Sequence, residues 1–104
     1  MKYQLLNAEE KSEANPDTFR IPSLEDRKAI KIGQWAKLVF EGNEITERMW
    51  VLVTKVKENL VGILDNKPAL LPMSRCDVIE FEHKHIVAIL DEADLCRAAG
   101  SIRE

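Results

Sequence analysis

The segment Glu47-Arg48-Met49-Trp50-Val51-Leu52-Val53-Thr54-Lys55-Val56-Lys57-Glu58-Asn59-Leu60-Val61-Gly62-Ile63-Leu64 decides the fold. β-branched and large apolar residues fill both arms around Glu58-Asn59, which predicts a long strand, a tight turn and a second strand. In the first arm Met49, Val51 and Val53 alternate with Trp50, Leu52 and Thr54, so both faces are apolar near the middle. Such a strand is buried on both sides, or belongs to a small barrel whose outer face a helix covers. Gly62, in the second arm, marks a bend or a close approach of two backbones.

Upstream of this hairpin, Trp35 to Glu41 reads as a strand with Ala36, Leu38 and Phe40 on one face and Trp35, Lys37 and Val39 on the other. Gly42-Asn43-Glu44 links it to the hairpin. Nearer the N-terminus, Asn7 with Glu10 has the form of a helix cap for Ala8 to Ala14, and Asn15-Pro16 stops that helix. Asp17 to Pro22 then runs extended, with Phe19 and Ile21 to one side. Ser23 with Asp26 repeats the cap for a short helix from Leu24 to Ile30, and Gly33 is its expected left-handed C-terminal residue.

Downstream, Asp65-Asn66-Lys67-Pro68 is a turn cluster, and Ala69 to Leu71 a short strand ended by Pro72. Asp77 to Glu82 alternates, with Ile79 and Phe81 inward. Glu82-His83-Lys84-His85 makes a tight turn, and Ile86 to Leu90 is the closing strand. Asp91 and Asp94 cap a final helix across 91–100, with Arg97 in its last turn and Gly100 beyond. Short strands joined by tight turns, with helices only towards the two ends, describe an α+β domain. Its centre is a small, strongly curled antiparallel β-sheet or, by analogy of shape, an SH3-like barrel. The expected organisation is a single domain over 1–104, with its β core within 15–90.

Composition narrows the function classes. At 104 residues, 45% of them hydrophobic and 32% charged, the chain has the make-up of a soluble globular domain with one modest core. A formal net charge of -3 argues against duplex binding, which calls for a basic footprint. No apolar run reaches the length of a membrane span, and the first residues lack the apolar core of a signal peptide, so a cytoplasmic protein is expected. Cys76 and Cys96 are then expected to be reduced, small core fillers rather than a bridge.

Four blocks together carry a resemblance: Asn15-Pro16-Asp17-Thr18-Phe19, Ile21-Pro22-Ser23, Glu47-Arg48-Met49-Trp50-Val51 and Gly62-Ile63-Leu64-Asp65-Asn66-Lys67-Pro68. In order and spacing, over roughly Asn15 to Leu90, the chain resembles the uncharacterised bacterial family filed as domain of unknown function 2314. The sequence departs from that family's pattern at Gln34, where an acid would follow Lys-x-Gly. It departs again at Cys76, where a Gly-Asp pair would place its glycine. The resemblance implies a bacterial cytoplasmic protein and no particular activity.

The remaining candidates are weighed by chemistry. His83 and His85, with Cys76, Asp91 and Glu92, could approach a metal, but no spacing of the Cys-x-x-Cys or His-Glu-x-x-His kind is present, and a polar turn is the favoured reading. Cys76 beside Arg75 could be an activated thiol only with a base in reach. Trp35 and Trp50 share their strands with Lys37, Arg48 and Lys55, the composition of a single-strand-binding barrel. Their alternative role is core area, which would leave at most one of them accessible. Asp65 and Asn66 place a carboxylate and an amide beside Arg48 and Trp50 if the hairpin pairs as drawn. Arg48, Trp50, Asp65 and Asn66 are therefore the candidate ligand-binding residues, with no catalytic residue, metal or cofactor assigned. The leading expectation is a binding module for a protein or small-molecule partner, without catalysis. Single-stranded nucleic-acid binding is the alternative class.

Overall fold

A computed structural model describes residues 3–42, 44–66, 68, 71 and 73–91. Its elements in chain order are β1 (Gln4–Leu5), α1 (Ala8–Ala14), α2 (Leu24–Lys28), β2 (Trp35–Gly42), β3 (Ile45–Val56), β4 (Leu60–Leu64), β5 (Val78–Phe81), a 3-10 turn (His83–His85) and β6 (Ala88–Leu90). The expected strand over 69–71 and the expected helix over 91–100 fall largely outside the described residues. No described helix is long and apolar enough to cross a membrane.

The hairpin read from the sequence is the spine of the sheet. Every neighbouring pair is antiparallel, in the order β1-β2-β3-β4-β5, and β6 joins β2 on the same side as β1. The sheet curls into a half-barrel around one core. Ala36, Leu38, Phe40, Met49, Val51, Val53, Leu60, Leu64, Ile79 and Phe81 all point inward, as period-2 alternation requires. Tyr3, just before β1, packs its ring 5.2 Å from Phe40. Its phenol pKa is raised by burial first, and then by the charges of Asp77 and Glu80 at β5.

The two N-terminal helices form a thin second layer. Asn7 Oδ1 accepts the Glu10 N–H at 3.1 Å and Ser23 Oγ accepts the Asp26 N–H at 3.1 Å, so both caps read from sequence are made. With Leu6 and Ile21 partly buried around them, Ala8, Phe19, Val39 and Val87 form a separate small cluster. That cluster covers the outer face of the sheet only at the Val39 end.

Two local expectations are corrected, and one strand had none. α2 ends at Lys28 with Ala29 as its cap, so Gly33 is not the helix terminator. Gly33 does adopt φ +95, but in the next turn, where its N–H bonds to the Val53 carbonyl. Pro16 to Thr18 form a turn rather than extended chain, closed by the Phe19 N–H on the Asn15 carbonyl. β1 had no signal in the sequence: its two residues pair with Glu41 and Phe40, which no local pattern announces.

Cys76 is exposed and free, not a core filler. Its φ of +76 follows from a bulge: the Cys76 N–H bonds to the Leu64 carbonyl, while the Leu64 N–H bonds to the Asp77 carbonyl. Two residues thus oppose one, with the first in the left-handed region, an arrangement that favours glycine. An L side chain there costs about 1–2 kcal/mol. Cys76→Gly is accordingly expected to raise stability by about 1 kcal/mol after the entropy of an added glycine is subtracted. Urea unfolding measures it, and a lower midpoint at unchanged slope would refute the strain.

His85 closes the 3-10 turn. Its Nδ1 accepts the Glu82 N–H at 3.0 Å, which requires that nitrogen unprotonated. Its pKa is lowered by burial, which outweighs the opposing pull of Glu82, with a smaller lowering contribution from Lys84. With the folded pKa below the unfolded value, the unfolded chain takes up the proton first. Stability is therefore full above a pH of about 6.5 and falls as the pH drops towards the folded pKa. His85→Gln should remove this part of the pH dependence. An unchanged stability profile between the two proteins from pH 7 to 5 would count against it.

Candidate functional site

The outer face of the sheet carries the residues that the core does not use. Register aligns Leu90 with Trp35, Trp35 with Leu52, Leu52 with Ile63 and Ile63 with Val78. One apolar row thus crosses five strands from β6 to β5, on the face opposite the core. The first four of these side chains are half-buried and Val78 is 71% exposed. The second row sets Lys37 against Trp50, and Trp50 against Asp65 just beyond β4.

A polar frame holds the two tryptophans. Trp35 Nε1 donates to Asp65 Oδ2 at 2.8 Å, and because β3 lies between them the indole must reach across that strand. Arg75 donates to the other oxygen, Oδ1, at 3.0 Å. Asn66 Oδ1 accepts the Trp50 N–H, and the Asp65 N–H bonds to the Trp50 carbonyl at 2.9 Å. The Lys37 ammonium lies 5.1 Å from the Trp50 ring centroid, within cation–π range. Asp65 is thus a double acceptor that fixes Trp35, and Asn66 completes a ladder that β4 has already left.

Three of the four sequence candidates, Trp50, Asp65 and Asn66, meet here. Arg48 does not join them: it sits opposite Val39, one row away, with its guanidinium 5.7 Å from the Phe19 ring. Trp35, Lys37 and Arg75 are the members the candidate set lacked. Trp35 was visible only as an aromatic, because its partner lies thirty residues downstream across two strand pairings. The expectation that core packing leaves at most one tryptophan accessible is corrected, since both are half-buried on one face. Core demand is met instead by Phe40, Phe81 and the aliphatic residues.

No family model, curated protein or solved structure matches the chain. The resemblance noted from sequence therefore rests on its motifs, and the site is read from its geometry.

No three metal-binding side chains gather among the described residues, and the histidine turn is occupied with its own hydrogen bonds. The groove between α2 and β6, bordered by Asp26, Lys31, Gln34 and Asp91, is open to solvent and mixed in polarity. The outer face is of another kind: apolar along its central row, with Asp65, Asn66, Arg75 and Lys37 making a polar frame around it.

Proposed function

We propose that this chain is a small cytoplasmic binding module, without catalysis, that presents the outer face of its curled sheet to a protein partner. One observation carries the reading: the apolar row Leu90–Trp35–Leu52–Ile63–Val78, half-buried except at exposed Val78 and anchored through Trp35 by Asp65. A tryptophan held by a part-buried hydrogen bond to a carboxylate gives up little conformational freedom on binding, which is the property of an interface anchor. A row on the outer, convex side of a curled sheet suits a protein surface better than a small molecule, which binds in a concavity. The bacterial family that the motifs resemble fits such a module without specifying its partner.

Nucleic-acid binding stays the second reading, because Trp35, Trp50 and Lys37 share one face. The frame opposes it. The Trp35 N–H is engaged by a carboxylate, Lys37 covers the Trp50 ring, and Glu80 borders the face. Counterion release needs several unpaired cations converging on the backbone.

A photo-cross-linking amino acid in place of Ile63, compared with one in place of exposed Lys28 on α2, tests the proposal in extract of the source cells. The expected result is a discrete protein adduct from position 63 alone, lost when Leu52→Lys is added to a protein that still unfolds cooperatively. Equal adducts from both positions would overturn the reading. So would a salt-dependent tryptophan quench by short oligonucleotides that saturates below about micromolar.

A further inference from the structure

We infer that the outward edge of β5, which no described residue pairs with, takes up an extended segment of the partner as an added strand, with a basic residue opposite Glu80 and an apolar residue opposite Val78. This rests on the binding-module reading above and names the mode and chemistry of recognition.

The backbone geometry comes first. The Leu64–Asp77 hydrogen bond at the bulge sets the phase of the β4–β5 ladder. Hydrogen-bonded pairs alternate in an antiparallel ladder, so Gly62–Ile79 and Leu60–Phe81 are the bonded pairs. The N–H and C=O groups of Val78 and Glu80 therefore point away from β4. Among the described residues nothing pairs with them, and β5 has β4 as its sole neighbour in the sheet.

The side chains select the occupant. Val78 is both the last residue of the outer apolar row and the most exposed large apolar side chain of the described residues. A strand added to β5 would extend that row by one place, so an apolar residue belongs opposite Val78. Glu80 lies on the same face and makes no ion pair among the described residues, with Asp77 and Glu82 flanking the strand. A second copy of this chain would bring the same acids to the same edge. Short length, a bulge and a charge are the devices that keep edge strands from pairing with their own kind. They leave an oppositely charged strand admissible, which makes the charge a filter for partners.

The probe is a blocked, fluorescein-labelled heptapeptide, Thr-Thr-Arg-Thr-Val-Thr-Thr, which in antiparallel register sets its arginine against Glu80 and its valine against Val78. Anisotropy should show saturable binding below about 1 mM. Glu80→Lys should weaken it about fivefold, and should strengthen binding of the same peptide carrying glutamate for arginine by a similar factor. N-methylation of the peptide's arginine and valine, whose N–H groups would face β5, should abolish binding. The amide protons of Val78 and Glu80 should exchange more slowly with the unmethylated peptide present. Unchanged exchange at those two amides, equal binding of the methylated peptide, or no binding at all would overturn the edge assignment. Cross-linking from position 63 would survive that failure, so the two readings fall separately. Concentration-dependent dimerisation in sedimentation, lost in Glu80→Lys, would also refute it in favour of self-pairing.

Discussion

Gly62→Ala is expected to lower stability by about 3 kcal/mol, against the usual sign for a glycine in a strand. Replacing a strand glycine by alanine normally restricts the unfolded chain and gains about 0.5–1 kcal/mol. Here a Cβ would stand 2.4 Å from the Leu52 carbonyl oxygen and 2.5 Å from Val51 Cγ1. The nearer atom is backbone, held in the central β3–β4 ladder, so it cannot swing aside. Val51 is fully buried and hemmed in by the core. Relief requires β4 to move off β3, which would break the pairing on which the half-barrel depends. Gly33 supplies the contrast. A Cβ there meets nothing within 4 Å, yet φ is +95, so Gly33→Ala suffers only conformational strain of about 1–2 kcal/mol. Urea midpoints at constant slope measure both changes. The expected order is Gly62→Ala well below Gly33→Ala, and a stabilised Gly62→Ala would show that β3 and β4 are further apart than described.

That glycine is also a measure of what could be read in the chain. Its role as a close approach was legible because a lone glycine interrupts an otherwise large apolar run, Leu60-Val61-Gly62-Ile63-Leu64. The strands β2, β3, β4 and β5 were legible for the same reason: they alternate, and one buried face fixes their phase. What sequence could not convey was contact between distant segments. The two residues of β1 have no pattern of their own and exist as a strand only because β2 offers an edge. The bulge at Cys76 depends on where Leu64 falls opposite it, although the resemblance implied a glycine at that position. Within the site, Asp65 and Asn66 were read beside Trp50 by counting along the hairpin. Trp35 was not joined to Asp65, because β2, β3 and β4 must first be laid side by side before the indole can be seen crossing β3. The error over the tryptophans had a physical source as well. A small domain needs aromatic area in its core, but this one draws it from phenylalanines and leaves both indoles on the outer face.

Arg27→Met is expected to lower stability by about 3 kcal/mol, although it keeps the apolar stem and deletes only the charged head. Arg27 is 5% exposed, the one charged residue buried among the described residues. Its Nε donates to the Pro22 carbonyl at 2.9 Å, and one terminal nitrogen donates to Glu9 at 2.6 Å and to the His83 carbonyl at 3.2 Å. Those acceptors lie on α1, on the approach to α2 and on the 3-10 turn. Helices of seven and five residues are too short to persist alone. One guanidinium therefore ties together a layer whose own apolar cluster is small. Glu9 keeps a side chain 39% exposed, so the ion pair itself contributes modestly, and the larger share comes from two carbonyls that would lose their donor. Two consequences separate this account from simple charge pairing. Glu9→Gln should cost no more than about 1 kcal/mol. Arg27→Lys should recover less than half of the loss, because an ammonium on a single point cannot reach three acceptors that a planar fork spans. A Glu9→Gln protein as unstable as Arg27→Met would place the energy in the ion pair instead. Amide exchange adds a spatial check: in Arg27→Met, protection should fall first in α1 and at His85 and Ile86, while the β3–β4 ladder keeps its own.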